Sequence, residues 1–211
     1  MIKLAPESEM GWIYESAKIY IKAEGVKKRS WHRWRKGDES PWYSDFDSAV
    51  NDPIRCEVFS SWYADQIRKI ARERKIDLLA PIEKDKSGTI GVIRLSGVIS
   101  ILTGLPNVPV RLAKEIKSEK LKIPPVEGKP WKGRLNKSKM TILTDHCTTG
   151  SEVLKAVEAV EYNGGIVTDL IAYTYVPDKF DWNAFERKGI VCHFQCAIPE
   201  ELEDTETSKN R

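Results

Sequence analysis

Cysteine is scarce in this 211-residue chain. Cys56, Cys147, Cys192 and Cys196 are too few and too unevenly spread to be the disulfide framework of a small secreted protein. Long apolar runs are missing as well. The most apolar stretch, Ile90 to Leu105, is broken by Arg94, Ser96 and Gly97 and is too short to span a bilayer. The first residues, Met-Ile-Lys-Leu-Ala-Pro-Glu, hold no apolar core of signal-peptide length, so a soluble, cytoplasmic setting is the expectation. Neither sign of charge dominates. The 34 Lys and Arg against 31 Asp and Glu leave +3, a balance that solvated surfaces often carry and that does not demand nucleic acid. No internal repeat interrupts the pattern. What is present is 41% apolar and 31% charged residues, which excludes a disordered chain and suffices for one domain with a real core.

The order of elements follows from periodicity. Met10, Ile13, Ala17 and Tyr20 predict an amphipathic helix over residues 7–23, ending near Gly25. Residues 26–52, aromatic and turn-rich up to Pro53, read as short strands. Val58, Trp62, Ile67, Ile70 and Ala71 predict one apolar face of a helix over 54–74. A short strand at 77–82, an apolar helix at 89–102 and a second strand at 107–111 follow. Residues 112–138, rich in Lys, Pro and Gly, have no apolar period and read as a long loop. Strand, helix and strand then resume at 140–145, 152–162 and 166–176, before a short helix at 181–187 and a last strand at 189–196. The expected fold is α/β, with a mostly parallel central sheet flanked by helices. Its expected extent is one domain over 1–200, a small N-terminal hood to about residue 53 and a core from 54, with 201–211 as a flexible tail.

Chemistry concentrates in Thr141-Ile-Leu-Thr-Asp-His-Cys-Thr-Thr-Gly-Ser-Glu152. An apolar strand delivers Asp145 at its carboxyl end, a hydroxyl-rich turn with Gly150 follows, and a helix begins. In a parallel sheet that end is where ligands sit. Amides and the helix dipole attract an anion there. Thr148, Thr149 and Ser151 add hydroxyls, and Gly150 permits close backbone approach. A sugar phosphate suits this arrangement, with Asp145 on ribose hydroxyls or on Mg²⁺. The same residues also read as an ordinary capping box, Thr149-x-x-Glu152. Neither the Walker loop nor the three-glycine dinucleotide fingerprint is present.

The stretch resembles the phosphoribosyl-pyrophosphate (PRPP) motif of type I phosphoribosyltransferases. Other segments are similar to the orotate phosphoribosyltransferases in the same order. These are Gly37-Asp-Glu-Ser-Pro-Trp-Tyr-Ser-Asp45, Asp77-Leu-Leu-Ala-Pro, Leu105-Pro-Asn-Val-Pro-Val-Arg111, Tyr162-Asn-Gly-Gly165 and Gly189-Ile-Val-Cys-His-Phe194. The resemblance implies transfer of ribose 5-phosphate from PRPP to a nitrogenous base with loss of pyrophosphate, Mg²⁺ as cofactor, and a homodimer. It assigns Thr148, Thr149, Gly150 and Ser151 to the 5-phosphate, Asp145 to the ribose and the metal, and Lys86 and Gly88 to the pyrophosphate loop. Arg111, Lys114 and Lys117 fall in the catalytic basic loop, and Arg35 and Tyr43 at the base. The chain also departs from the family. Thr144 replaces the first acid of the motif, Leu112 and Glu115 replace two loop lysines, and Lys117 stands at the loop histidine. A PRPP- or nucleotide-sensing regulator that has lost turnover is the alternative these departures leave open.

Three further features carry second readings. From Arg111 to Lys139 ten Lys or Arg face three acids, which suits a lid over pyrophosphate, a nucleic-acid contact or a solvated loop. Trp31 and Trp34 alternate with Lys27, Lys28, Arg29, Arg33, Arg35 and Lys36, a mix able to stack on bases in a nucleic-acid-binding module or to form the hood. In Cys192-His-Phe-Gln-Cys196, strand alternation puts His193 opposite the two cysteines, so a buried strand is expected rather than a metal site. Cys147 lies in the proposed phosphate turn, where helix-end amides favour a thiolate. His146 reads as a loop residue that orients its neighbours rather than as a catalytic base.

Overall fold

The computed structural model describes residues 26–33, 39–44, 50, 51, 53–84, 91–112, 135 and 137–197. The expected helix at 7–23, most of the long loop and the tail lie outside them. Two short strands, β1 (Val26–Arg33) and β2 (Glu39–Ser44), pair antiparallel as a sheet of their own. Helix α1 (Pro53–Glu73) starts on a proline, whose fixed φ and missing N–H suit the first helical position. Its buried face is Phe59, Trp62, Tyr63, Ile67 and Ile70, with Val58 half-buried and Ala71 exposed. The expected stripe is therefore rotated toward Phe59 and Tyr63, and Ala71 falls at its edge in the last turn.

Five strands form one parallel sheet in the order β4-β3-β5-β6-β7. They are β3 (Leu78–Lys84), β4 (Val110–Leu112), β5 (Lys139–Cys147), β6 (Ile166–Tyr175) and β7 (Val191–Ala197). Alternation divides their side chains. Leu79, Leu143, Ile171 and Tyr173 pack with α1 and with α2 (Gly91–Thr103). Leu78, Ala80, Ile82, Ile142, Leu170 and Ala172 pack on the other face with α3 (Ser151–Tyr162) and with Phe185 of the short helix α4 (Trp182–Arg187). A sheet buried on both faces explains why its strands read as nearly continuous apolar runs. The expected strand at 107–111 is split. Asn107 makes an isolated bridge to Leu79, and pairing resumes only at Val110, because Pro109 has no N–H to give. β5 extends two residues beyond its expected end, to Cys147.

From β3 the chain crosses to β4 on one side, and from β5 it proceeds to β6 on the other. The carboxyl ends of β3 and β5 therefore flank the topological switch point, where open α/β sheets bind ligands. Asp169 lies near the opposite end of the sheet, fully buried. Its Oδ1 is 2.9 Å from His193 Nε2 and 3.6 Å from Arg74 Nη1 at the end of α1. His193 thus turns toward α1 while Cys192 packs with the other cluster, the alternation expected of β7.

A half-buried thiol and a buried phenol make stability fall in alkali. Burial first, then the Asp169 carboxylate, pushes the Cys192 thiol from 9.0 to about 12. Burial first, then the Asp145 carboxylate, raises the Tyr63 phenol well above 10.0. In both cases the unfolded chain loses the proton before the folded one does. The contribution is complete below the unfolded pKa and is lost as pH rises toward the folded one, by at most ~1.4 kcal/mol per pH unit for each group. Solvent screening reduces this for half-buried Cys192. Denaturant unfolding should therefore show stability declining from pH 9.0 upward. Cys192→Ala should remove the earlier part of the decline and Tyr63→Phe the later part. An unchanged profile in both variants would refute the assignment.

Candidate phosphate-binding site

The site is built on the end of β5 and the turn into α3. Asp145 is 6% exposed, and its Oδ1 accepts the His146 N–H at 2.8 Å and the Thr144 hydroxyl at 3.2 Å. From α1, the Tyr63 hydroxyl donates to the Thr144 carbonyl at 2.6 Å and locks the strand end to the helix beneath it. The His146 ring continues the polar network. Its Nδ1 is 2.9 Å from Thr174 Oγ1 on β6, and its Nε2 is 3.1 Å from Thr148 Oγ1 in the turn. His146 thus contacts a neighbour on each side, but from within β5 rather than from the loop the sequence led us to expect.

Carbonyls hold the turn in place. Those of Cys147 and Thr149 receive the N–H groups of Val176 at 3.0 Å and Asp181 at 3.2 Å, and that of Gly150 receives Leu154 at 2.9 Å. Among the described residues, no acceptor is bonded to the N–H of Thr148, Thr149 or Gly150. The Ser151 N–H reaches Thr149 Oγ1 at a long 3.3 Å. The opening of α3 adds amides that no helix can satisfy internally, together with the positive end of its dipole. Bonded carbonyls, beside amides that have no acceptor among the described residues, are an arrangement suited to an oxyanion.

Gly150, rather than Thr149, is the N-cap of α3, with φ 81 and no side-chain cap bond. The requirement for glycine has a cause the sequence did not suggest. A Cβ there would lie 2.6 Å from Phe185 Cε2 and 3.0 Å from Phe180 Cε2. The vacant Cβ position faces the rings of Phe185 and Phe180, which wedge against the turn. Cys147 also differs from expectation. It is 3% exposed and packs in the apolar cluster beneath α3, away from solvent oxidants. Tyr63, Thr174, Phe180 and Phe185 were missed as members of the site, because each comes from a distant segment whose local pattern reads only as core.

Arg111 lies in β4 in register with Glu83 of β3, at the same carboxyl edge of the sheet as Asp145. Tyr43 lies in β2 opposite Lys27. Lys86, Gly88, Lys114, Lys117 and Arg35 lie outside the described residues. The mixed basic and aromatic run at 27–36 falls partly on β1, and most of the loop from 112 to 138 is likewise outside. Asp145 supplies the carboxylate at the end of β5, and one of its oxygens is already engaged twice. Among the described residues no group of three His, Cys, Asp or Glu is placed to hold a metal ion. Mg²⁺ demands a near-octahedral oxygen set. Among the described residues Asp145 offers such an ion a carboxylate but no complete ligand set, and we derive no step through one. No described helix is long and apolar enough to cross a membrane.

Comparison with known proteins places this geometry in context. No family profile matches the chain. It is 31% identical over 160 residues to the orotate phosphoribosyltransferase of Thermoplasma volcanium, an alignment covering 74% of this chain and 81% of that protein. The crystal structure of orotate phosphoribosyltransferase from Aeropyrum pernix superposes with a TM-score of 0.66 at 19% identity, covering 86% of this chain and 93% of the other. Adenine phosphoribosyltransferase from Saccharomyces cerevisiae superposes with a TM-score of 0.63 at 15% identity, covering 88% of this chain and 99% of the other.

Proposed function

Because the chain belongs to the type I phosphoribosyltransferase family, as a relative of the orotate enzymes, we propose that it binds PRPP and transfers ribose 5-phosphate to an orotate-like base. The observation that carries the reading is the β5–α3 turn, where the carbonyls of Cys147, Thr149 and Gly150 are bonded while, among the described residues, the three successive amides of Thr148, Thr149 and Gly150 are not. In the reaction the bond from C1′ to the pyrophosphate oxygen breaks and a C1′–nitrogen bond forms. The ring nitrogen's proton goes to the departing pyrophosphate. Charge develops on the sugar and on the leaving group, so catalysis is mostly positioning plus cationic stabilisation.

Each residue has a part consistent with its chemistry. The amides and hydroxyls of Thr148 to Ser151 hold the 5-phosphate, and the Asp145 carboxylate accepts from ribose hydroxyls. Lys86 and Gly88 receive the pyrophosphate, which Arg111, Lys114 and Lys117 neutralise as it leaves. Arg35 and Tyr43 border the base. Mg²⁺ in this reading arrives on the substrate's own phosphates, and the working unit is a homodimer in the cytoplasm.

Titration with PRPP should give a saturable change in tryptophan fluorescence, since Trp182 is part of the aromatic cluster behind the turn and is 46% exposed. No response would overturn the reading. Thr144, where the family carries an acid, favours one second reading: a PRPP-sensing regulator. Saturable binding without pyrophosphate release across a panel of pyrimidine and purine bases would select that alternative.

A further inference from the structure

The hydrogen-bond chain through His146 has a direction, and the direction matters to an anion. A neutral imidazole donates through one nitrogen and accepts through the other. The Thr174 hydroxyl is 3.4 Å from the Asp145 carbonyl, a long bond in which it can only donate. While it does so, Thr174 Oγ1 accepts from Nδ1–H of His146, and Nε2 carries the lone pair. That lone pair takes the Thr148 hydroxyl proton, and Thr148 turns only lone pairs toward the turn. An oxyanion there would be repelled by them. In the other tautomer Nε2–H donates to Thr148, whose own proton is released toward the turn. The Thr174 hydroxyl then swings from its long bond with the Asp145 carbonyl to Nδ1, 2.9 Å away.

We propose that His146 is a positioning residue for Thr148 and that oxyanion occupancy of the β5–α3 turn selects its tautomer: Nδ1–H when empty, Nε2–H when filled. The proposal rests on the reading of this turn as the phosphate cradle. It adds Thr174, on a different strand, as the far end of the relay that arms the turn. Every group in the relay is neutral in both arrangements, so no net charge is created when the anion arrives. The cost of reversal is one long hydrogen bond, and the gain is a hydroxyl donor facing the anion.

Nitrogen-15 spectra of the histidine rings test this directly with inorganic phosphate and ribose 5-phosphate as probes. The chain has three histidines, and the His146 signals are those missing from His146→Gln. Binding is followed separately by tryptophan fluorescence. The expected result is that the pyrrole-like and pyridine-like shifts of Nδ1 and Nε2 exchange as phosphate saturates. Phosphate affinity should fall about tenfold in His146→Val, the equivalent of one hydrogen bond. It should be largely restored in His146→Gln, whose amide reaches Thr148, and not in the shorter His146→Asn. Binding with an unchanged tautomer, or with an imidazolium in either state, would overturn the relay and leave the cradle standing. Failure of both probes to bind would overturn the cradle and the relay with it.

Discussion

Gly150→Ala is expected to cost roughly 2–5 kcal/mol of folding stability. About 1–2 arises from a left-handed backbone at a residue with a Cβ, and about 1–3 from forcing that atom against a packed ring. The values behind this are φ 81 and a 2.6 Å approach to Phe185. Gly150→Val should be worse, because a β-branched residue tolerates positive φ poorly. The two causes separate in a second variant. Phe185→Leu combined with Gly150→Ala should recover the steric part and leave the backbone part, read as a shift in denaturant midpoint at constant slope. Full recovery, or none, would refute the division. Loss of PRPP binding in a Gly150 variant therefore reports first on the fold of the turn, and only then on the ligand.

Asp145→Asn is the cleaner probe of chemistry. The amide keeps an oxygen where Oδ1 accepts from His146 N–H and the Thr144 hydroxyl, so the strand end is preserved while the charge is removed. With Thr144 in place of a second acid, the proposed reading leaves the grip on the ribose to Asp145. A hydrogen bond to a charged group contributes about 1.5–3 kcal/mol, so kcat/KM for PRPP should fall roughly 10- to 100-fold in steady-state pyrophosphate release. The substitution has a second readout within the fold. The Asp145 carboxylate contributes to the raised pKa of Tyr63. Tyrosinate absorbance in Asp145→Asn should therefore begin at lower pH than in the parent, while burial still holds it above the ordinary value. An unaltered Tyr63 profile would mean that the two groups do not sense one another.

Much of the architecture was readable because the elements are strongly periodic. Strand β6 and helix α3 lie within a residue or two of where their patterns put them. The errors arise where pattern and geometry part. The β4 strand is cut to three residues, because Val108 and Val110 look like one run but Pro109 between them cannot join the ladder. On α1 the apolar residues outnumber the places on the sheet, and contact with Tyr173 selects Phe59 and Trp62 over Ala71. The capping-box pattern of Thr149 and Glu152 was a third such case, because the left-handed cap at Gly150 puts the helix start one residue beyond the one a Thr149 cap would give.

The amino-acid order alone determined the parallel α/β class, the place of the hydroxyl-rich glycine turn at the end of an apolar strand, and the family resemblance that the alignments bear out. Each of these is local: a period, a turn composition, a short motif. Only the folded chain decided which amides of that turn have no acceptor among the described residues, that Gly150 is held from behind by Phe180 and Phe185, and that His146 links Thr174 to Thr148. The reason is physical. Hydrogen-bond satisfaction and steric room at a residue are set by whatever packs against it. Here those partners come from β6, from α4 and from the segment between them, about thirty residues away in the chain and adjacent only once the sheet has formed.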